Sequence, residues 1–227
     1  FKWIEEFANK SETICRIGIR LNFNISDSPS RFGIDINDEI IQEIINRSNS
    51  SKFLSLESLH YHYASRKLSE WRACIEKFTS FLSKVNFKVF DELKYISLGG
   101  GMFSRMNEYI EEQLPFGIPS FNEYAESSIK YLSNYFEKQD NLDGIRPEIL
   151  IEPGTALASK ALDFAVKVVS TKKINNITYI NTTGSKYNMN PSPNRINSPI
   201  ELLNFSPELS INVKNAKLCG YTCIESD

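Results

Sequence analysis

Cysteine is scarce in this sequence, with four residues, Cys15, Cys74, Cys219 and Cys223, among 227. They are too few and too widely spaced for the disulfide framework of a small secreted protein. Cys219 and Cys223 are near each other, but no histidine is close to them in the sequence, and a structural zinc site needs four donors. The pattern therefore predicts no metal site and favours a reducing, cytoplasmic environment.

Long apolar segments and blocks of like charge are also missing. No stretch approaches the roughly 18 consecutive apolar residues of a membrane-spanning helix, and the segment from Phe1 to Glu6 is typical of a helix within a domain rather than a signal peptide. The 26 basic and 28 acidic residues are interspersed and leave a net charge of −2. Because nucleic acids and anionic membranes bind concentrated basic surfaces, we expect neither as a partner.

Two kinds of segment alternate along the first two thirds of the chain. Short β-branched segments predict strands, and segments with apolar residues at helical spacing predict helices. Asn37 or Asp38 is expected to cap the first of these helices, and Ser120 the third. The predicted strands cover residues 14–21, 56–62, 95–98 and 148–152, and the predicted helices cover residues 38–47, 69–85 and 121–136.

This alternation predicts an α/β fold with parallel strands. The strands are about 35 to 55 residues apart, which fits half of an eight-stranded β/α barrel with long loops. After Gly154 two predicted strands, 164–169 and 177–180, follow each other without a helix, and an Asn- and Pro-rich segment continues to Pro199. We therefore expect a partial barrel over residues 1–157 and the start of an antiparallel β-domain over residues 158–227.

The carboxyl ends of the predicted strands carry the candidate functional residues, because β/α barrels gather their active sites at that edge. These ends present Arg20, then His62 with Ser65, then Gly99-Gly100-Gly101, then Glu152. The N–H groups of a glycine run can converge on phosphate oxygens, and a serine beside them can add a hydroxyl donor. A tight turn that needs positive φ angles is the alternative explanation of the same glycines.

Glu152 and His62 each have two explanations as well. Glu152 follows Ile149-Leu150-Ile151, so it is expected to end a buried strand and to need a partner. That partner is either a protonated ring nitrogen of a ligand or a cationic side chain such as Arg20. The imidazole of His62 either stacks on an aromatic ring or is a satisfied core residue, and strand alternation puts His60 on the same face.

Taken together, five segments resemble one protein family. Their order and spacing are similar to those of the fold-type III pyridoxal-phosphate-dependent decarboxylases, the diaminopimelate and ornithine/arginine decarboxylase group. The resemblance covers nearly the whole chain and implies strands 5–8 of an alanine-racemase-like barrel followed by part of its β-domain. The five segments are Ser30-Arg31-Phe32-Gly33, His60-Tyr61-His62-Tyr63-Ala64-Ser65, Leu98-Gly99-Gly100-Gly101, Glu152-Pro153-Gly154-Thr155 and Cys223-Ile224-Glu225-Ser226-Asp227.

The resemblance implies pyridoxal 5′-phosphate as the cofactor. His62 would stack on its pyridine ring, and Glu152 would pair with the protonated ring nitrogen. Arg20 would lie under the ring near that carboxylate. The residues that would hold the phosphate are Ser65, Gly100 and Gly101.

The last matched segment implies a homodimer with shared active sites. Cys223 would reach the partner subunit's active site and protonate the substrate carbon as a general acid. We further expect Arg31 of one subunit to pair with Asp227 of the other. Thr155, Glu225 and Asp227 stand at positions where the family binds its substrate.

The sequence departs from the family pattern at three positions. Ala64 replaces the glycine that precedes the phosphate-binding serine. Thr155 replaces an arginine that binds phosphate or a substrate carboxylate. Ile224 replaces an acidic residue that contacts the far end of the substrate, and Glu225 follows one place later. The last two changes both concern substrate recognition.

By the same resemblance the chain is an incomplete amino acid decarboxylase that is inactive alone. The family's cofactor-binding lysine precedes the region that matches Phe1, and its late tyrosine follows the region that matches Asp227. An amino acid racemase on the same barrel and a non-catalytic relative that binds partners are the alternatives. Cys223 favours decarboxylation, because racemases of this fold use a tyrosine there, whereas Thr155 and Ile224 favour loss of the chemistry.

Overall fold

The computed structural model describes residues 1–25, 30–63, 65–85, 93–138, 146–189, 197–203, 206 and 213–227. Ala64 and part of the Asn- and Pro-rich segment are outside the described residues. The chain forms two compact units, Phe1–Arg105 with Ile118–Ser159 and Met106–Gly117 with Lys160–Asp227. All four cysteines are free. No helix in the described part of the chain is both long and apolar enough to cross a membrane.

A five-stranded parallel sheet is the centre of the first unit, with the strands in the order β2-β1-β3-β4-β5. Every neighbouring pair is parallel, so the predicted parallel α/β architecture is confirmed. The sequence did not predict β2, which pairs only Ile34 and Asp35 with the end of β1. The strands are β1 (Cys15–Asn22), β2 (Ile34–Asp35), β3 (Leu54–His60), β4 (Tyr95–Ser97) and β5 (Glu148–Leu150).

The three predicted helices form near their predicted positions with one difference, and three short helices of four residues each were not predicted. Asp38 caps α2 by accepting a hydrogen bond from the N–H of Ile40, and Ser120 forms a capping box with Glu123 at the start of α5. The predicted helix over 121–136 is two helices, because Ser128 leaves helical geometry and its Oγ donates to the carbonyl of Tyr124 at 2.6 Å. The helices are α1 (Lys2–Ser11), α2 (Glu39–Ser50), α3 (Leu68–Leu82), α4 (Glu108–Glu111), α5 (Phe121–Ser127), α6 (Ile129–Glu137), α7 (Thr155–Ala158) and α8 (Lys186–Met189).

The core of the first unit lies between the sheet and α3. The predicted apolar face of α3 is buried, and its side chains belong to the same cluster as the central residues of β3 and β4. Burying a large apolar side chain stabilises a fold by about 1.5 to 3 kcal/mol, so this cluster holds the ends of β3 and β4 in fixed positions. The residues of α3 in the cluster are Trp71, Cys74, Ile75, Phe78, Phe81 and Leu82.

β5 is more exposed than its neighbours β3 and β4 in the same sheet. Among the described strands it pairs with β4 alone, and the side chains of Leu150 and Ile151 are 42% and 44% exposed. The expectation that Glu152 ends a buried strand is therefore wrong. An apolar segment of this length predicts a strand, but it does not tell whether a neighbouring element covers that strand.

Glu57 of β3 is a buried carboxylate with three polar partners. Its Oε1 atom lies 2.7 Å from the ammonium of Lys94 and 3.2 Å from Nε of Arg16, and it accepts a hydrogen bond from Ser55 at 3.2 Å. The hydrogen bond from Lys94 lowers the pKa of Glu57 most, burial opposes this effect, and Ser55 and the charge of Arg16 lower it further. The net result is a carboxylate with a pKa below its ordinary value.

We expect Glu57→Gln to destabilise the chain by about 1 kcal/mol at neutral pH, since the partners are partly screened by solvent. The folded-state pKa of Glu57 is lower than its unfolded-state value. Its stabilisation is therefore complete above the unfolded pKa and is lost as the pH falls through the folded pKa. Chemical unfolding of both proteins from neutral to strongly acidic pH checks this. A difference in unfolding free energy that does not shrink towards acid would contradict it.

The second unit contains a three-stranded mixed sheet in the order β6-β7-β8. Asn175 and Asn176 form a two-residue turn with φ angles of 46° and 63°, which is typical of a type I′ hairpin. The hairpin β6-β7 is antiparallel, but β8 pairs with β7 in parallel, so the predicted antiparallel sheet is only partly correct. The strands are β6 (Val168–Ile174), β7 (Ile177–Thr182) and β8 (Ala216–Cys219).

The first strand of this sheet begins later than predicted. Five of the six residues 164–169 are apolar, which predicts a strand, but β6 starts only at Val168. Phe164 and Val166 instead lie against Gly184, where a Cβ atom would be 2.7 Å and 2.2 Å from their side chains. The position of the asparagine turn determines which residues of the hairpin pair with each other. β6 therefore consists of the residues directly before the turn, and these are more polar than the predicted segment.

Candidate functional site

The carboxyl ends of β3, β4 and β5 bring four polar side chains together. The parallel register pairs His60 with Ser97 and Ser97 with Leu150, so the last residues of the three strands lie side by side. His62 follows β3 by two residues, and Glu152 follows β5 by two residues. We call His60, His62, Ser97 and Glu152 the rim cluster.

Glu152 is the centre of the rim cluster. Its Oε1 atom accepts a hydrogen bond from Ser97 Oγ at 2.9 Å and lies 3.2 Å from Nε2 of His60, and its Oε2 atom lies 3.3 Å from Nδ1 of His62. Partial burial tends to raise the pKa of Glu152, but the hydrogen bonds from Ser97 and His62 and the nearby histidine charges outweigh it. The carboxyl therefore has a lowered pKa and stays ionised.

The two histidines approach Glu152 from one strand. Their ring centroids are 6.4 Å apart and their planes are nearly perpendicular, at 89°. Burial lowers the pKa of His60, the Glu152 carboxylate opposes this, and the charges of Arg20 and His62 add to the lowering. Nε2 of His60 is buried and makes no hydrogen bond in the described structure, although the carboxylate is close to it. The contact is short in distance but poor in hydrogen-bond direction.

The glycine turn after β4 is required by close packing. Gly99 and Gly101 have φ angles of 68° and 110°, which side chains rarely adopt. A Cβ atom on Gly100 would lie 2.4 Å from the carbonyl oxygen of Glu152, and one on Gly101 would lie 2.7 Å from that of Ser65. The tight-turn explanation of these glycines therefore holds, and the same turn brings the backbones of β3 and β5 together.

Ser65 and Arg20 flank the rim cluster. Ser65 is 8% exposed; its Oγ accepts from the N–H of Lys67 at 3.2 Å, and its carbonyl accepts from the indole of Trp71 at 2.9 Å. Arg20 donates to the carbonyl of His62 at 3.4 Å, and its guanidinium lies 4.9 Å from the ring centroid of Phe32. Arg20 therefore contacts the backbone that carries His62.

The other predicted site residues are elsewhere. Thr155 begins the short helix α7 in the first unit, whereas Cys223, Glu225 and Asp227 are in the second unit. Cys223 is exposed. The carboxylate of Asp227 accepts four hydrogen bonds within its own unit, from Ser185 Oγ, the N–H of Lys186, and the N–H and Oγ1 of Thr222, at 2.5 to 3.2 Å.

Two members of the rim cluster were absent from the predicted site. His60 was placed on the same strand face as His62 but received no role, and Ser97 was not considered. The period of two along a strand could have assigned His60, which lies two residues before His62, whereas the position of Ser97 beside His60 depends on the register of β3 and β4. Glu152 is 90 residues from His62 in sequence, so only the structure joins them.

The sequence model of one protein family matches most of this chain. Residues 2–159 match the sequence model of the pyridoxal-dependent decarboxylase, pyridoxal binding domain. A diaminopimelate decarboxylase of Bacillus methanolicus is 24% identical over 205 residues, which cover 87% of this chain and 44% of that protein. The chain therefore spans about half the length of this relative.

Solved structures of two decarboxylases have a similar fold. A mutant diaminopimelate decarboxylase of Helicobacter pylori, crystallised with L-lysine, aligns with a TM-score of 0.71 and 21% identity over 100% of this chain and 54% of that one. An arginine decarboxylase of Paramecium bursaria Chlorella virus aligns with a TM-score of 0.63 and 16% identity over 99% of this chain and 57% of that one. These likenesses support the partial barrel and β-domain as a fold. With the match over residues 2–159, the chain belongs to the pyridoxal-dependent decarboxylase family.

Proposed function

We propose that this chain is the cofactor-binding portion of a pyridoxal 5′-phosphate-dependent amino acid decarboxylase. The observation that carries the proposal is the ionised carboxylate of Glu152 at the carboxyl edge of the parallel sheet. Bound pyridoxal phosphate supplies an electron sink for the bond that releases carbon dioxide, and it does so best when its ring nitrogen is protonated. A carboxylate beside the nitrogen favours that protonated form.

The residues near the rim cluster fit such a cofactor. The side chain of Glu152 is 49% exposed and that of His62 is 31% exposed, so a carboxylate and a flat imidazole are accessible together. Glu152 would accept the hydrogen bond of the ring nitrogen, and His62 would lie against the ring. Ser65, Gly100 and Gly101 would bind the phosphate through a hydroxyl and backbone N–H groups. The glycine turn packs against the backbone of Ser65, and this closeness supports a single anion site.

Arg20 and Thr155 complete the proposed site in this unit. Arg20 would hold His62 in place through the hydrogen bond to its carbonyl, and its positive charge lies near the ring position. Thr155 has a hydroxyl where the family has an arginine, so it would contact substrate or phosphate without adding a charge. Recognition of the substrate carboxylate would then depend on other residues.

The proposed site residues of the second unit would act in a homodimer with shared active sites. Cys223 would give a proton to the substrate carbon in the partner subunit's site, and Glu225 and Asp227 would contact the substrate there. The exposure of Cys223 supports its availability. A carboxylate has about four acceptor positions, and Asp227 already accepts four hydrogen bonds. A pairing with Arg31 across the dimer would therefore be a charge interaction added to those bonds.

The proposed substrate is an amino acid of the diaminopimelate, ornithine or lysine type. The relatives support this class, since one of the similar structures contains L-lysine and another is an arginine decarboxylase. Because the chain spans about half of its relatives, we propose that it acts together with the remaining part of the barrel, which would contribute the cofactor lysine. Alone it would bind cofactor but release no carbon dioxide.

Release of carbon dioxide from carboxyl-labelled amino acids tests the proposal. The chain is assayed alone and together with the barrel half that carries the lysine, with pyridoxal phosphate and each candidate substrate. Release that requires both halves and the cofactor is expected. Loss of the optical activity of the substrate without release of carbon dioxide would favour the racemase alternative. Absence of both reactions, with no binding of pyridoxal phosphate by fluorescence titration, would favour a non-catalytic relative.

A further inference from the structure

Two imidazole nitrogens and one carboxylate of the rim cluster lie close together. The coordinating atoms of His60, His62 and Glu152 all lie within 4.8 Å of one another, and the closest nitrogen–oxygen distances are 3.2 and 3.3 Å. Donors bound to one transition-metal ion at about 2.0 to 2.2 Å are roughly 3 to 3.5 Å apart. Each short separation lies in that range, with His60 beside Oε1 and His62 beside Oε2, so a carboxylate that binds through both oxygens would bring both histidines to one ion.

His60 gives a second, independent indication of a ligand. Its Nε2 atom is buried and makes no hydrogen bond in the described structure, and most buried polar atoms do have a partner. A neutral imidazole nitrogen that carries no hydrogen has a lone pair available to a metal ion. An ion between the histidines and the carboxylate would give this nitrogen the partner that Glu152 does not provide by hydrogen bonding.

The three side chains are held in place before any ion binds. Ser97 donates to Oε1 of Glu152 at 2.9 Å, and Arg20 donates to the carbonyl of His62 at 3.4 Å. The Gly100 backbone fills the space between the ends of β3 and β5. Such supporting contacts orient ligands and strengthen metal binding. The partial exposure of Glu152 and His62 leaves room for water at the remaining coordination positions.

We propose that His60, His62 and Glu152 form a site for a divalent transition-metal ion such as Zn²⁺ when the cofactor is absent. Two imidazoles and one carboxylate suit Zn²⁺, Ni²⁺ and Co²⁺, whereas Mg²⁺ prefers oxygen ligands. The ion and the cofactor ring would use the same carboxylate, so they would exclude each other. The competition rests on the proposed function; the metal binding does not.

Titration of the cofactor-free, chelator-treated chain with Zn²⁺ tests the site, with a chromophoric chelator as competitor. We expect one ion per chain, and Co²⁺ should give a visible absorption band. His60→Gln and His62→Gln should each weaken Zn²⁺ binding at least about tenfold, while Mg²⁺ should not compete. Thermal unfolding of each variant shows whether the fold is kept. A double variant, Cys219→Ser with Cys223→Ser, should bind Zn²⁺ as the original chain does.

Three results would overturn the inference. They are no bound ion in the original chain, unchanged affinity in both histidine variants, or loss of binding in the cysteine double variant alone. Adding pyridoxal phosphate should raise the apparent dissociation constant of Zn²⁺ in proportion to its concentration. If pyridoxal phosphate fails to bind the metal-free chain, the proposed function fails and the metal site stands. If it binds but leaves Zn²⁺ affinity unchanged, the shared-carboxylate competition is wrong.

Discussion

Replacing Glu152 with glutamine is expected to lower the rate of decarboxylation at least about 100-fold in the protein that contains this chain, as removal of one charged group from a preorganised site does. Glutamine keeps the size of the side chain and an oxygen that can accept from Ser97. It removes the charge that favours a protonated ring nitrogen. The carbon dioxide assay measures the rate, and fluorescence titration measures cofactor affinity.

Glu148→Gln is the matched control for this variant. Glu148 is an exposed glutamate at the first position of the same strand, at the edge opposite the rim cluster. Its replacement should change the rate less than about twofold, as for a surface substitution away from the site. If the Glu152 variant keeps a rate within a few-fold of the original while it folds normally, its carboxylate is not the partner of the ring nitrogen.

Gly100→Ala is expected to cost about 1 to 3 kcal/mol of stability and to weaken cofactor binding at least about tenfold. Gly100 does not have a positive φ, so alanine is allowed at this position by its own backbone. The added Cβ atom would lie 2.4 Å from the carbonyl oxygen of Glu152. Backbone atoms cannot rotate away as a side chain does, so the end of β5 must shift and carry the carboxylate away from His62.

Gly117→Ala provides the comparison, because a Cβ atom at that position would meet nothing within 4 Å. Its unfolding free energy should stay within about 0.5 kcal/mol of the original. Chemical denaturation of the three proteins gives both values. Equal stability of the two alanine variants would contradict this prediction, because it would mean that the turn after β4 has space for the added methyl group.

The sequence predicted the elements of the first unit well where the pattern is strong. The face of α3 around Trp71 and Phe78 repeats at helical spacing over four turns, so its burial followed directly. The caps at Asp38 and Ser120 followed from side-chain chemistry at the start of each helix. β2 has only two residues, too few for a period, and the break at Ser128 depends on one local hydrogen bond.

The candidate site was harder to predict from the sequence than the fold. Alternation could place His60 beside His62, but the distance from either to Glu152 depends on the register of three strands. A shift of one residue in that register would move a strand's side chains to the opposite face, and nothing local sets it. The metal ligands were missed for the same reason. His60 ends β3 and His62 follows it, but the third ligand, Glu152, follows β5, and the spacing of the two histidines gives no sign of it.

The exposed strand β5 has a consequence for how the isolated chain behaves at high concentration. A strand that pairs on one side offers a row of free N–H and C=O groups to any other extended segment. Here the side chains of Leu150 and Ile151, 42% and 44% exposed, add apolar surface beside that row. Natural edge strands often carry charged residues or proline as protection; β5 has one charged residue, Glu148, at its start, and Pro153 comes only after the strand has ended. Edge-to-edge association through β5 is therefore expected of the isolated chain at high concentration, and a short extended peptide that pairs with β5 would suppress it.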